Sequence, residues 1–219
     1  MITPPQPAHM AYISSTLKGA AAEMSPHDAH VARDCFEHWR SECTRVANEA
    51  PVRVAYTIHE IIDERVERLR TSKHGREITC RKGCAACCHL HVDIFHHEAE
   101  MLLLAMSTDG IEIDRARLER QATKDDETWH ELAPEDQRCV FLGEDRTCRV
   151  YEHRPGSCRK YHVLSDPDLC DAVKHPRAKV GIMFDTEGEI VHSAAMTVYG
   201  GGTMAAVLLQ HLPTPEADP

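Results

Sequence analysis

CRKGCAACC, residues 80–88, places Cys80, Cys84, Cys87 and Cys88 within nine positions. Thiols this close in sequence cannot pair comfortably with one another, and they cannot all be ordinary buried hydrophobes. A metal ion or an iron–sulfur cluster is the usual holder of such a run. Gly83, Ala85 and Ala86 are small enough for the chain to turn tightly around one point. Four more cysteines follow at Cys139, Cys148, Cys158 and Cys170. They are spread over an expected strand pair, a turn and a loop, as when a knuckle-like site draws ligands from separate elements. All eight are candidate metal ligands, for zinc or for an iron–sulfur cluster. The spacing leaves open which metal is held, how many centres there are and how the eight sulfurs divide.

Working outward, the chain has 219 residues, a formal charge of −10 and only 5% aromatic residues. That length suits one domain with appended helices. The scarcity of aromatics favours helices over a β-sandwich. The acidic balance, with no long basic stripe, speaks against a general nucleic-acid binder. No charged region followed by an apolar stretch opens the chain. The longest apolar run, Met101–Met106, is far below the roughly 20 residues of a membrane span. A cytoplasmic location is therefore expected, with no membrane association. Thiols stay reduced there, and clustered cysteines read as ligands. A secreted protein could instead form five disulfides from its ten cysteines, but such scaffolds are normally much smaller.

The expected fold is mainly α with short β-hairpins (α+β), a small irregular Cys-rich metal-stabilised core being flanked by helices. Residues 1–24 read as a mobile N-terminal segment. Residues 25–75 read as a helical hairpin, opened by Ser25 as N-cap with Pro26 as first helical residue and interrupted at Pro51. Residues 76–175 form the cysteine-cluster domain, with helices expected from about Phe95 to Met106 and from Asp114 to about Lys124. Strands are expected around Cys139 and Cys148. Residues 176–212 read as a hairpin, VGIMF and IVHSA about a TEGE turn, followed by a helix from about Thr203. Residues 213–219 read as a disordered tail.

Basic side chains lie among the cysteines: Arg81, Lys82, Arg138, Arg146, Arg149, Arg154, Arg159 and Lys160. Eight thiolates would carry about eight negative charges, and two divalent ions would neutralise about half of them, so these cations are expected to offset the remainder. His89 and His91 are candidates to replace a sulfur in a Cys₃His site or to support one, and His96, His97 and His162 lie nearby. Cys35 and Cys43 share an apolar helix face with Phe36 and Trp39 and are expected to pack in the core. Tyr151 and Tyr161 are expected to pack and hydrogen-bond, and Gly200–Gly202 to act as a flexible connector. Cys80, Cys84 and Cys87 also reproduce the CxxxCxxC spacing of radical-SAM enzymes. Ala86 stands where an aromatic is usual, however, and no strand–helix series supplies the barrel.

The order CRKGCAACC, helix, CVFL, CRVYEHRPGSCRKY and Cys170 resembles the YkgJ-like cysteine-cluster family, a zinc- or iron-chelating group. The resemblance runs from about Cys80 to Cys170 and rests on Cys148, Tyr151, Arg154-Pro155, Cys158-Arg159 and Tyr161. It assigns ligand roles to Cys80, Cys84, Cys87, Cys88, Cys139, Cys148 and Cys158, with Cys170 after them. One departure is that IFHHEAEM stands where the family helix opens on a Thr/Pro/Glu-type cap. The resemblance implies metal binding without a reaction, and catalytic residues stay unassigned. Three classes follow: a structural metal module with a metal ion and a protein partner left open, an iron–sulfur-dependent modifying enzyme related to the lysine N-methylases, and a metal carrier or sensor.

Overall fold

The computed structural model describes residues 15–72, 78–80, 83–171, 174–175 and 177–213. Arg81, Lys82, most of the expected mobile segment and nearly all of the expected tail lie outside them. In chain order the helices are α1 (Ser15–Glu23), α2 (Pro26–Arg45), α3 (Pro51–Thr71), α4 (His96–Asp109), α5 (Arg115–Gln121), α6 (Pro134–Gln137), α7 (Gly156–Lys160), α8 (Thr186–Tyr199) and α9 (Met204–His211). The strands are β1 (Asp93–Phe95), β2 (His162–Val163), β3 (Ile182–Met183) and β4 (Gly201–Thr203). Short 3₁₀ turns cover Ala86–His89, Trp129–Glu131, Tyr151–His153 and Pro167–Cys170. The fold is mainly α with small antiparallel strand pairs, as composition and periodicity indicate.

Local signals explain the longer helices. The Ser25 hydroxyl accepts the Asp28 amide and Pro26 occupies the first helical turn of α2, satisfying one of the donors a helix start leaves open. Pro51 begins α3, where a missing N–H costs nothing. Val54, Ile58 and Ile62 then recur at helical spacing and are buried. α2 lies chiefly along α8, and α3 along α4, α7 and α8. These helices share one apolar core, formed by Val54, Ile58, Ile62, Phe95, Ala99, Leu102, Val191, Ala195 and Leu208. The cysteine region adds Val140, Phe141 and Val150 to the same core, so its middle is anchored by apolar burial as well.

Several sequence expectations change. The expected strand IVHSA is part of α8, whose start is capped by the Asp185 carboxylate accepting the Gly188 amide. Its Ile-Val pair looks β-like, but α8 is buried over nearly its whole middle, and a run buried all round carries no period to separate helix from strand. VGIMF contributes only β3, which pairs with the distant β2. Around Cys139 and Cys148 the expected strands reduce to one isolated bridge, Leu142 with Cys148, closed by the Gly143 amide donating to the Thr147 carbonyl at 2.9 Å. Gly200–Gly202 is no loose connector. β4 pairs with β1, and a Cβ on Gly201 would stand 2.3 Å from the Ile94 carbonyl oxygen. Ser15–Glu23, within the segment expected to be mobile, is helical, with Leu17 buried.

Candidate metal centre

The fold gathers the eight clustered cysteines from three stretches of chain. The first stretch is pinned from both ends. Thr79 donates its amide to the Val163 carbonyl at 2.9 Å, and the Val163 amide returns a hydrogen bond to Cys80 Sγ at 3.3 Å. Gly83 turns the chain with φ +82°, a conformation that favours glycine. The Ala86–His89 turn then carries Cys87 and Cys88, and it packs on the Pro167–Cys170 turn that carries Cys170. On the other side the Cys139 amide donates to the Cys88 carbonyl at 2.7 Å.

Cys158 sits in α7, and the chain around it is fastened on every side. Arg159 pairs with Asp63 of α3 at 2.5 Å and also donates to the Arg154 and Glu152 carbonyls. His153 Nδ1 meets the Tyr56 hydroxyl at 2.8 Å, Ser157 Oγ donates to the Asp93 carbonyl at 2.8 Å, and Lys160 pairs with Glu189 at 2.5 Å.

Electrostatically the sulfurs raise one another. Burial pushes Cys139 up to about 11, with Cys148 and Cys87 adding to it. Burial likewise raises Cys170 to about 11, followed by the charges of Cys84, Cys80 and Cys87. Cys158 is raised well above a normal thiol by burial, then by Cys139, Cys87 and Cys148. Cys87 is raised by its hydrogen bond with Cys88 and then by burial. Opposing this, the Val163 amide donates to Cys80 Sγ, and the backbone at Phe141 and Val150 works to lower Cys139 and Cys148. An amide donor favours the thiolate form of a cysteine, which is the form that ligates metal. Sulfur donors crowded by mutual repulsion and held by amide N–H groups suit a thiophilic cation such as zinc or iron. As the side chains stand, no three His, Cys, Asp or Glu groups among the described residues meet in a metal-holding arrangement.

The interleaved cations divide by geometry. Arg149 and Arg154 lie within electrostatic reach of the sulfurs, lowering Cys139 and Cys148, and Arg154 also stacks over Tyr151 at 4.1 Å. Arg138 serves the Leu142 and Gly143 carbonyls and Glu144, while Arg159 and Lys160 pair with carboxylates. Arg146 adopts φ +61° in the turn before Cys148.

His89 Nδ1 faces the Ala85 carbonyl at 3.2 Å. His91 stands edge-on to Trp129 and 3.6 Å from Asp93. His96 points the other way, to His211 at 2.9 Å, and His97 stacks on Tyr199 at 4.2 Å. The His162 ring is held below its usual range, mainly by burial. Tyr161 is raised to about 12 by burial and by Cys170, Cys87 and Cys80. Cys43 is buried beneath Tyr199, whose hydroxyl donates to its carbonyl, and Cys35 is half-buried.

A buried carboxylate beside the centre has no counterpart in the sequence reading. Glu98 is 0% exposed. Its Oε1 accepts the Gly156 amide at 2.6 Å and faces His59 Nε2 at 2.7 Å. Its Oε2 accepts the Phe95 amide at 3.1 Å and lies 3.6 Å from His192. Burial alone would raise this carboxyl, but the adjacent His192 and His59 rings more than offset it and hold the carboxyl below its ordinary range. Glu98 is the reach-back half of a capping box, a signal the sequence carries three residues after Phe95. The histidines on it come from α3 and α8 and have no local signature.

Residues 79–176 match the CxxCxxCC family model, described as a "Putative zinc- or iron-chelating domain". That span encloses all eight clustered cysteines, and it is the family the cysteine order resembles. No match was found among curated proteins or among solved structures.

Proposed function

We propose that this protein binds metal through Cys80, Cys84, Cys87, Cys88, Cys139, Cys148, Cys158 and Cys170, as a zinc or iron module. The supporting observation is that three cysteine-bearing stretches are tied together: the Val163 amide donates to Cys80 Sγ, the Cys139 amide donates to the Cys88 carbonyl, and the Ala86–His89 turn packs on the turn that carries Cys170. Without a cation, burial and mutual repulsion favour neutral thiols there. A bound divalent ion supplies the positive charge that makes eight adjacent thiolates tolerable. Arg149 and Arg154 offset part of what remains.

Exposure of Cys80 favours a second reading, a carrier or sensor that exchanges its ion, because an exposed ligand gives a competing chelator a point of attack. One experiment addresses both. The protein is purified without oxygen, its zinc and iron are measured, its visible spectrum is recorded, and a chelator is titrated in. The expected result is stoichiometric zinc or iron, lost on Cys84→Ser. Metal-free protein with unchanged protease resistance in that variant refutes ligation. Loss of metal to micromolar chelator with the helical circular dichroism intact identifies the exchanging module.

A further inference from the structure

We infer that the cleft between the start of α5 and the turn around Gly143 binds a small molecule through a carboxylate or phosphate group, a site that does not depend on metal ligation.

The cleft holds about 360 Å³, within the range of small-molecule sites. Three arginines, Arg117, Arg138 and Arg149, line it with two carboxylates, Asp114 and Glu144. In a chain of formal charge −10, this is a local excess of positive charge, and a concave wall concentrates its field. Val140 and Leu142 add an apolar side, which suits an organic anion.

The walls are held in place by the chain itself. The buried Gln121 side chain donates to the Arg138 carbonyl at 2.9 Å and joins α5 to the turn. Arg149 donates to the Glu112 carbonyl at 2.8 Å through Nη1 and to the Val140 carbonyl at 2.6 Å through Nη2. Arg138 Nη2 donates to the Leu142 and Gly143 carbonyls at 3.1 and 3.0 Å. Side chains fixed in advance lose little freedom when a ligand binds.

These anchors use only part of each guanidinium, which carries five N–H donors. Arg138 Nε and Nη1 and Arg149 Nε have no hydrogen bond among the described residues. Arg117 is the least satisfied of the three. Its Nε is buried without a partner, and its ion pair with Asp114 is 3.2 Å long, where charge-assisted bonds measure about 2.7–2.9 Å. Planar forks with unused donors match the paired oxygens of a carboxylate or phosphate. Glu144 shows the fit, because its carboxylate sits on Arg138 Nη2 at 2.9 Å although its side chain is 94% exposed. An ion pair so exposed is weak, and the anion of a ligand displaces it.

The test titrates the full chain, at its measured metal content, with inorganic phosphate and separately with succinate, read by calorimetry in low salt. Saturable one-to-one binding is expected. Phosphate without succinate identifies a phosphate-bearing ligand, the converse a carboxylate, and both together a site that reads the shared oxyanion chemistry. Arg117→Gln is expected to weaken binding about tenfold, as for a lost charged hydrogen-bond partner. Glu144→Gln, at an exposed position where the fold is not at risk, is expected to tighten it about two- to fivefold by removing the competing carboxylate. Arg115→Gln, beside the cleft but not lining it, is expected to leave binding unchanged. Circular dichroism confirms that each variant is folded, and if Arg117→Gln is not, the other two decide. No saturable binding of either anion at millimolar concentration, an affinity unchanged in folded Arg117→Gln, an affinity not improved by Glu144→Gln, or a loss in Arg115→Gln overturns the site.

Discussion

Replacing Glu98 by glutamine removes one charge and almost no volume from the buried junction behind Cys158. The wild-type carboxylate presents an acceptor to three donors, Gly156 N and His59 Nε2 on one oxygen and Phe95 N on the other, with His192 Nε2 3.6 Å from the second oxygen. In either orientation the carboxamide places an NH₂ group where at least one of these groups donates. At least one backbone amide is then left facing a donor in a fully buried place, at about 1–3 kcal/mol for each unsatisfied group. Glu98→Ala removes every acceptor, leaving the Gly156 and Phe95 amides and His59 Nε2 unpaired, and at about 1–3 kcal/mol for each is expected to cost at least about 3 kcal/mol. In a chain of 219 residues each kcal/mol lowers Tm by roughly 2–4 °C, so the alanine variant is expected to melt at least about 6 °C lower. Acid gives an independent sign. The folded carboxyl lies below its ordinary value, so its contribution is present above about pH 4.3 and is lost as the pH falls further. The wild type should lose its advantage over Glu98→Gln on acidification. Guanidinium unfolding at equal metal load, followed by circular dichroism at pH 7 and pH 3, measures both effects. A glutamine variant within 0.5 kcal/mol (about the scatter of ordinary surface substitutions) of wild type at pH 7 would falsify the reasoning.

Three further outcomes follow from the same structure. His97 is held down to about 4 by burial, then by the charges of His96 and His211, so its ring should titrate near pH 4 by NMR; a midpoint near 6.5 contradicts that environment. Because the unfolded chain takes up this proton first, His97 also makes the fold less stable as the pH falls below about 6.5. Asp185 caps α8 and receives Arg65 in a two-pronged ion pair at 2.7 and 2.9 Å. Asp185→Asn keeps the cap and loses the pair, and Asp185→Ala should cost about 1 kcal/mol more in urea unfolding; equal stabilities count against the cap. Gly201→Ala drives a Cβ into the Ile94 carbonyl, and because backbone must move, about 1–3 kcal/mol of destabilisation should appear as a lower Tm. An unchanged melting curve shows that β1 and β4 are not pressed together.

Local chemistry was well written in the chain. Ser25-Pro26, Pro51, Asp114 and the Val54-Ile58-Ile62 spacing act within one or two helical turns, and α2, α3 and α5 begin where these residues put them. α8 was misread because Ile190 and Val191 are β-branched and the segment around them is buried on every side, which leaves no amphipathic period. The strand pairs are not legible because β1 meets β4 and β2 meets β3 with other elements between them, and a strand of two or three residues carries too short a pattern to name its partner.

For the candidate centre, cysteine identity and spacing were enough to single out Cys80 to Cys88, Cys139, Cys148, Cys158 and Cys170, because a thiolate is a ligand wherever the chain brings it. What only the tertiary structure decided is that the cysteine-bearing stretches are tied together, that Arg149 and Arg154 lie within electrostatic reach of Cys148 while Arg159 and Lys160 pair with carboxylates, and that Glu98 stands between His59 and His192. The physical reason is common to all three. Charge and hydrogen bonding act over a few ångströms of space, and that proximity is made by α3, α4, α7 and α8 packing their apolar faces together rather than by any order of residues along the chain.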